Sequence, residues 1–122
     1  MNDKITILYI DDEPINVMLF EINFRKLYKV ITAQSAYEGL EKLHSVDDIK
    51  IVLTDMKMPG MNGVEFVEQA KNLFPEITYF ILTGYDVNTE IAEALNSKLV
   101  KEYFCKPFNV PKIKKAIADV FI

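Results

Sequence analysis

Four short apolar runs in this chain close on a polar or charged side chain, and helix-like segments separate them. Residues 5–10 run into Asp11 and Asp12, residues 51–54 into Asp55, residues 77–82 into Thr83, and residues 103–105 into Lys106. A fifth run, residues 29–33, has the same length and apolar character. Strand followed by helix, five times over, predicts one parallel sheet covered by helices on both sides, because crossovers between parallel strands are right-handed. Continuously apolar strands fit a sheet that is covered on both faces. Ligands of open sheets of this kind bind beyond the carboxyl ends of the strands. The residues that end these runs therefore belong to one working edge.

The helices between the strands are legible from their caps and periods. Pro14 fits a first helical turn, and Val17, Phe20, Phe24 and Leu27 recur at helical spacing, so the first helix is predicted to reach about Leu27. Ile15, Leu19 and Ile22 make a second apolar line, and the wide arc is expected to be core. Ser35 and Glu38 match a capping box for a helix ending near His44. A loop with the turn signals Pro59-Gly60 and Asn62-Gly63 leads into a third helix, which turns Val67, Ala70 and Phe74 inward and ends at Pro75. A fourth helix spans about 88–96. The last starts at Asn109 and buries Val110, Ile113, Ile117 and Val120.

Length and charge narrow the class. With 122 residues the chain suits a single domain over 1–122, and any output domain would lie outside it. A net charge of −4 argues against nucleic acid as a direct ligand. No apolar run approaches a membrane span, no signal-peptide pattern opens the chain, and the one cysteine forms no internal disulfide. A cytoplasmic location is expected. Cys105 is expected to be a small buried strand residue and His44 an exposed residue at a helix end.

The edge residues suggest phosphoryl chemistry. If the first and third strands are neighbours, Asp12 and Asp55 converge. Clustered carboxylates repel, and a hard divalent cation resolves that repulsion. Magnesium keeps several waters, so one or two carboxylates and a backbone carbonyl, that of Lys57, suffice. A carboxylate is also a nucleophile toward phosphorus. Magnesium would take one phosphoryl oxygen, Lys106 another, and the Thr83 hydroxyl with nearby backbone N–H groups a third. A cis Lys106-Pro107 bond would help to aim the lysine.

Together, Asp11-Asp12, Asp55-Met-Lys-Met-Pro-Gly-Met-Asn-Gly63, Thr83-Gly84 and Lys106-Pro107-Phe108 resemble the receiver domain of two-component response regulators. The resemblance covers essentially the whole chain. It implies a flavodoxin-like fold with strand order 2-1-3-4-5, an order the receiver proteins themselves exemplify. It implies that Asp55 accepts a phosphoryl group from a sensor histidine kinase or a histidine phosphotransfer protein. It implies Mg²⁺ held by Asp12, Asp55 and the Lys57 carbonyl, with Asp11 acting partly through water. It further implies a switch in which Thr83 moves toward the phosphate and Tyr103 turns inward, altering contacts with a downstream output domain or protein. A phosphorylation-dependent homodimer is left open. Catalysis is limited to the domain's own phosphorylation and dephosphorylation.

The chain departs from the family pattern in two places. Residues 96–102 lack the usual glycine before the fifth strand and have one extra residue. Lys57 and Tyr85, two residues past Asp55 and Thr83, are bulky and flank the path of an attacking water, which predicts a long-lived phosphoprotein whose half-life shortens on Tyr85→Ala. Other readings fit less well. A haloacid-dehalogenase-like phosphatase needs an acid where Lys57 stands. A flavin carrier needs an uncharged phosphate loop after the first strand, and a nucleotide hydrolase needs a glycine-rich loop. A receiver fold without chemistry would lack one of the acids or the lysine.

Overall fold

A computed structural model of the chain describes residues 4–84, 88–107 and 109–121; Tyr85 and Phe108 lie outside the described residues. Five strands and five helices alternate: β1 Ile5–Ile10, α1 Pro14–Phe24, β2 Tyr28–Ala33, α2 Ala36–Ser45, β3 Ile49–Asp55, α3 Gly63–Leu73, β4 Thr78–Thr83, α4 Thr89–Asn96, β5 Glu102–Cys105 and α5 Val110–Val120. The strands form one parallel sheet in the order β2-β1-β3-β4-β5. The alternation predicted a doubly covered parallel sheet, and the fold is flavodoxin-like, as the resemblance implied.

Strand alternation divides the core in two. Leu8, Ile10, Val52 and Ile81 face α2, α3 and α4, whereas Ile7, Tyr9, Leu53, Phe80 and Leu82 face α1 and α5. The register aligns the carboxyl ends, pairing Ile10 with Thr54, Asp55 with Leu82 and Thr83 with Cys105. Strands one and three are therefore neighbours, the condition for Asp12 and Asp55 to converge.

Several helix details differ from expectation. α1 stops at Phe24, and Leu27 lies beyond it with 51% of its surface exposed. Val17, Phe20 and Phe24 are buried, but Ile15, Met18, Leu19 and Ile22 form an exposed stripe, with Ile15 66% exposed. The arc is wider than the sheet face that α1 covers, so only its inner side is core. Phe74, Val110 and Val120 are half-buried, and Cys105 is exposed at the end of β5, although its neighbour Phe104 on the same strand is buried. His44 is exposed, as expected, with its ring edge-on to Phe74 at 5.3 Å.

The caps are built from local side chains. Ser35 accepts from the Glu38 amide at 3.0 Å, but Glu38 Oε1 accepts from Gln34 rather than from the cap residue. The reciprocal capping box is at α3, where Asn62 and Glu65 accept from each other's amides. In the segment without glycine, Lys98 adopts φ 62°. The Leu99 amide donates to Ala94 O at 2.9 Å and the Lys98 amide to Leu95 O at 3.1 Å. This is a Schellman closure with lysine in the usual glycine place.

Candidate functional site

Backbone pairing sets the site before any side chain does. The Asp11 amide donates to Ala33 O, the Met56 amide to Leu82 O and the Lys106 amide to Thr83 O, so each loop leaves its strand on a fixed path. Gly63 closes the loop after β3 by donating to Met56 O at 2.8 Å. A Cβ there would meet the Asp55 carbonyl oxygen at 2.5 Å, so only glycine allows α3 to start this close to the site. The Lys106–Pro107 peptide is cis.

Asp11, Asp12 and Asp55 converge, with one carboxylate oxygen from each lying within 4.8 Å of the others. Asp11 is fully buried and Asp55 nearly so, while Asp12 is half-buried. Lys106 Nζ bridges two of them, at 2.8 Å from Asp11 Oδ2 and 3.2 Å from Asp55 Oδ2. The Glu13 amide donates to Asp11 Oδ1 at 3.0 Å, and the Tyr9 hydroxyl donates to Asp11 Oδ2 at 2.6 Å. Thr83 is buried at the end of β4, and Gly84 beside it is exposed. A cavity of about 810 Å³ opens above these groups, lined by Asp12, Asp55, Lys57, Thr83, Glu90 and Lys106 among others.

Burial and crowding set the charges. The Asp55 carboxyl is pushed up to about 6, first by burial and then by Asp11, against the pull of Lys106. Burial is the largest influence on Lys106 and lowers it, yet its hydrogen bond to Asp11 and the Asp55 and Asp11 charges together hold it above the usual lysine range. Burial, then the hydrogen bond to Asp11, drives the Tyr9 phenol far up, so it stays protonated and acts as a donor.

These residues fit magnesium. The ion takes hard oxygen ligands, keeps several waters and needs only one or two carboxylates, and this trio offers one oxygen from each of three carboxylates within 4.8 Å of one another. Burial first, and then the charges of Asp11 and Asp12, raise the Asp55 carboxyl, and a cation beside it would oppose both. Lys57 lines the cavity, with its side chain exposed.

Tyr103 is not among the residues that line the cavity. It is half-buried on β5 and packs on the α2–α3–α4 side of the sheet. Two contacts escaped sequence reasoning. Tyr9 reads as one more strand aromatic, and its only sequence signal is that it stands two residues before Asp11, on the same side of the strand. Asn62, the α3 cap, also donates to Glu90 in the first turn of α4 at 3.2 Å; a pair 28 positions apart leaves no local signature.

The response regulator receiver domain model matches residues 7–118. The hydrogenase transcriptional regulatory protein HoxA of Cupriavidus necator is 30% identical over 88% of this chain, which spans only 22% of that protein. Sporulation initiation phosphotransferase F of Bacillus subtilis is 30% identical, over 96% of this chain and 92% of its own length. Among solved structures, a CheY-like receiver domain protein from Methanospirillum hungatei superposes with a TM-score of 0.87 at 28% identity, covering 96% of this chain and 93% of that one. The chain belongs to the response regulator receiver domain family of two-component signalling.

Proposed function

We propose that Asp55 is a Mg²⁺-dependent phosphoacceptor and that its phosphorylation switches the domain's protein contacts. The observation that carries this reading is the bridge from Lys106 to Asp11 and Asp55 beside three converging carboxylates. An Asp55 oxygen would attack the phosphorus of a phosphohistidine donor as the P–N bond breaks and its electron pair returns to the imidazole. Asp12, Asp55 and the Lys57 carbonyl, with Asp11 partly through water, would hold Mg²⁺, whose charge neutralises a phosphoryl oxygen when it is bound. Lys106 takes a second oxygen, and Thr83 with the Gly84 amide a third. Movement of Thr83 opens space behind it for Tyr103, a shift between two packings of β4 and β5.

The donor is a histidine kinase or a histidine phosphotransfer protein. The exposed stripe Ile15, Met18, Leu19 and Ile22 starts three residues after Asp12 and offers an apolar surface on which a partner helix can pack while reaching Asp55. The domain is modified by this chemistry rather than turning over an external substrate, and its readout passes to a downstream output domain or protein.

The test is intact mass after incubation with acetyl phosphate and Mg²⁺. One phosphoryl adduct that requires Mg²⁺ and is absent from Asp55→Asn is the expected result. No adduct and no Mg²⁺ binding by titration would overturn the reading.

A further inference from the structure

Asp11 is fully buried, and from the described residues it receives three hydrogen bonds: Tyr9 Oη at 2.6 Å and Lys106 Nζ at 2.8 Å on Oδ2, and the Glu13 amide at 3.0 Å on Oδ1. Lys106 is shared, since it also lies 3.2 Å from Asp55 Oδ2. A phosphoryl group on Asp55 would draw the ammonium toward its own oxygens. Mg²⁺ held through water would not replace the lysine's direct hydrogen bond on Oδ2, and a buried carboxylate oxygen that loses a donor is costly unless another remains. The Tyr9 hydroxyl cannot follow the lysine. Its ring is fully buried and lies flat on Phe20 at 4.1 Å, which stacks in turn on Phe24 at 4.2 Å.

We propose that Tyr9 is a positioning residue whose hydroxyl holds Asp11 Oδ2 and keeps that carboxylate partnered when Lys106 turns to the phosphoryl group. This rests on Asp55 being the phosphoacceptor. Tyr9 acts on the phosphorylated state through Asp11 and touches neither phosphate nor metal. Before phosphorylation Lys106 still serves Asp11, so loss of the hydroxyl is felt mainly afterwards.

Tyr9→Phe keeps the stacked ring and removes only the hydroxyl. Beryllofluoride, a mimic of the phosphoryl group on aspartate, is titrated at saturating Mg²⁺ and followed by fluorine NMR, with thermal melting of the metal-free proteins beside it. The expected result is beryllofluoride affinity weakened about tenfold, with a melting temperature within about 4 °C of native. A variant that melts lower but binds beryllofluoride as the native protein does has lost only a structural hydrogen bond, and the proposal falls. Equal affinity with equal melting also overturns it. A native protein that does not bind beryllofluoride overturns the phosphoacceptor reading itself, and this inference with it.

Discussion

Asp55 couples the stability of the fold to pH. Its carboxyl sits at about 6 in the folded, metal-free protein, above its ordinary 3.8. The folded state therefore holds the proton more tightly than the unfolded state. The resulting stabilisation is complete below the unfolded value and is lost as pH rises through about 6. At neutral pH the charged, buried Asp55 weakens the fold. Asp55→Asn should stabilise the metal-free protein at pH 7 by on the order of 1–3 kcal/mol and flatten the rise in stability between pH 7 and pH 5. Urea titrations of both proteins at the two pH values check this; a variant less stable than native at pH 7 would contradict it. Lys98 carries a smaller strain of another kind, with φ 62° on a side chain that bears a Cβ. A left-handed residue costs ~1–2 kcal/mol, and glycine relieves this at some cost in chain entropy. Lys98→Gly should stabilise the domain by about 0.5–1 kcal/mol, measurable as a higher urea midpoint at unchanged slope.

At the scale of elements, α1 has two apolar faces with different fates. Val17, Phe20 and Phe24 are buried, whereas Ile15, Met18, Leu19 and Ile22 are solvent-facing. Replacing Ile15 and Ile22 together by serine should change stability by less than about 1 kcal/mol, as exposed substitutions do. If the stripe receives the donor, phosphorylation by a phosphohistidine protein should fall by roughly tenfold or more. Phosphorylation by acetyl phosphate, which needs no docking surface, should be unchanged. Rate measurements with both donors decide it, and an equal loss with both would place the defect in the site. The period of α1 was legible, but the period cannot say which of two stripes is covered. The exposure of Cys105 is hidden for a related reason: strand alternation puts it on the face opposite the buried Phe104, and a run of three residues does not show how far the helices cover that face.

At the scale of the whole molecule, a cation held as proposed by Asp12 and Asp55 would be linked to folding. A ligand that binds only the folded state stabilises it by ~2.7 kcal/mol when present at a hundred times its dissociation constant. Saturating Mg²⁺ should raise the melting temperature by several degrees, and chelation should reverse this. Asp12→Asn and Asp55→Asn should each abolish most of the shift, and a shift retained in both variants would place the ion elsewhere. The five strand–helix units were legible in the sequence, because doubly covered strands and capped helices are written in local patterns. The sequence also marked Asp11, Asp12, Asp55, Thr83 and Lys106, because polar groups that end apolar runs have one edge to go to. Tertiary structure alone decided that Tyr9 completes the shell of Asp11, that Asn62 ties α3 to Glu90 of α4, and that half of α1 faces solvent. Each of these depends on which elements lie side by side and how far each covers its neighbour. Periodicity along one chain does not encode that distance.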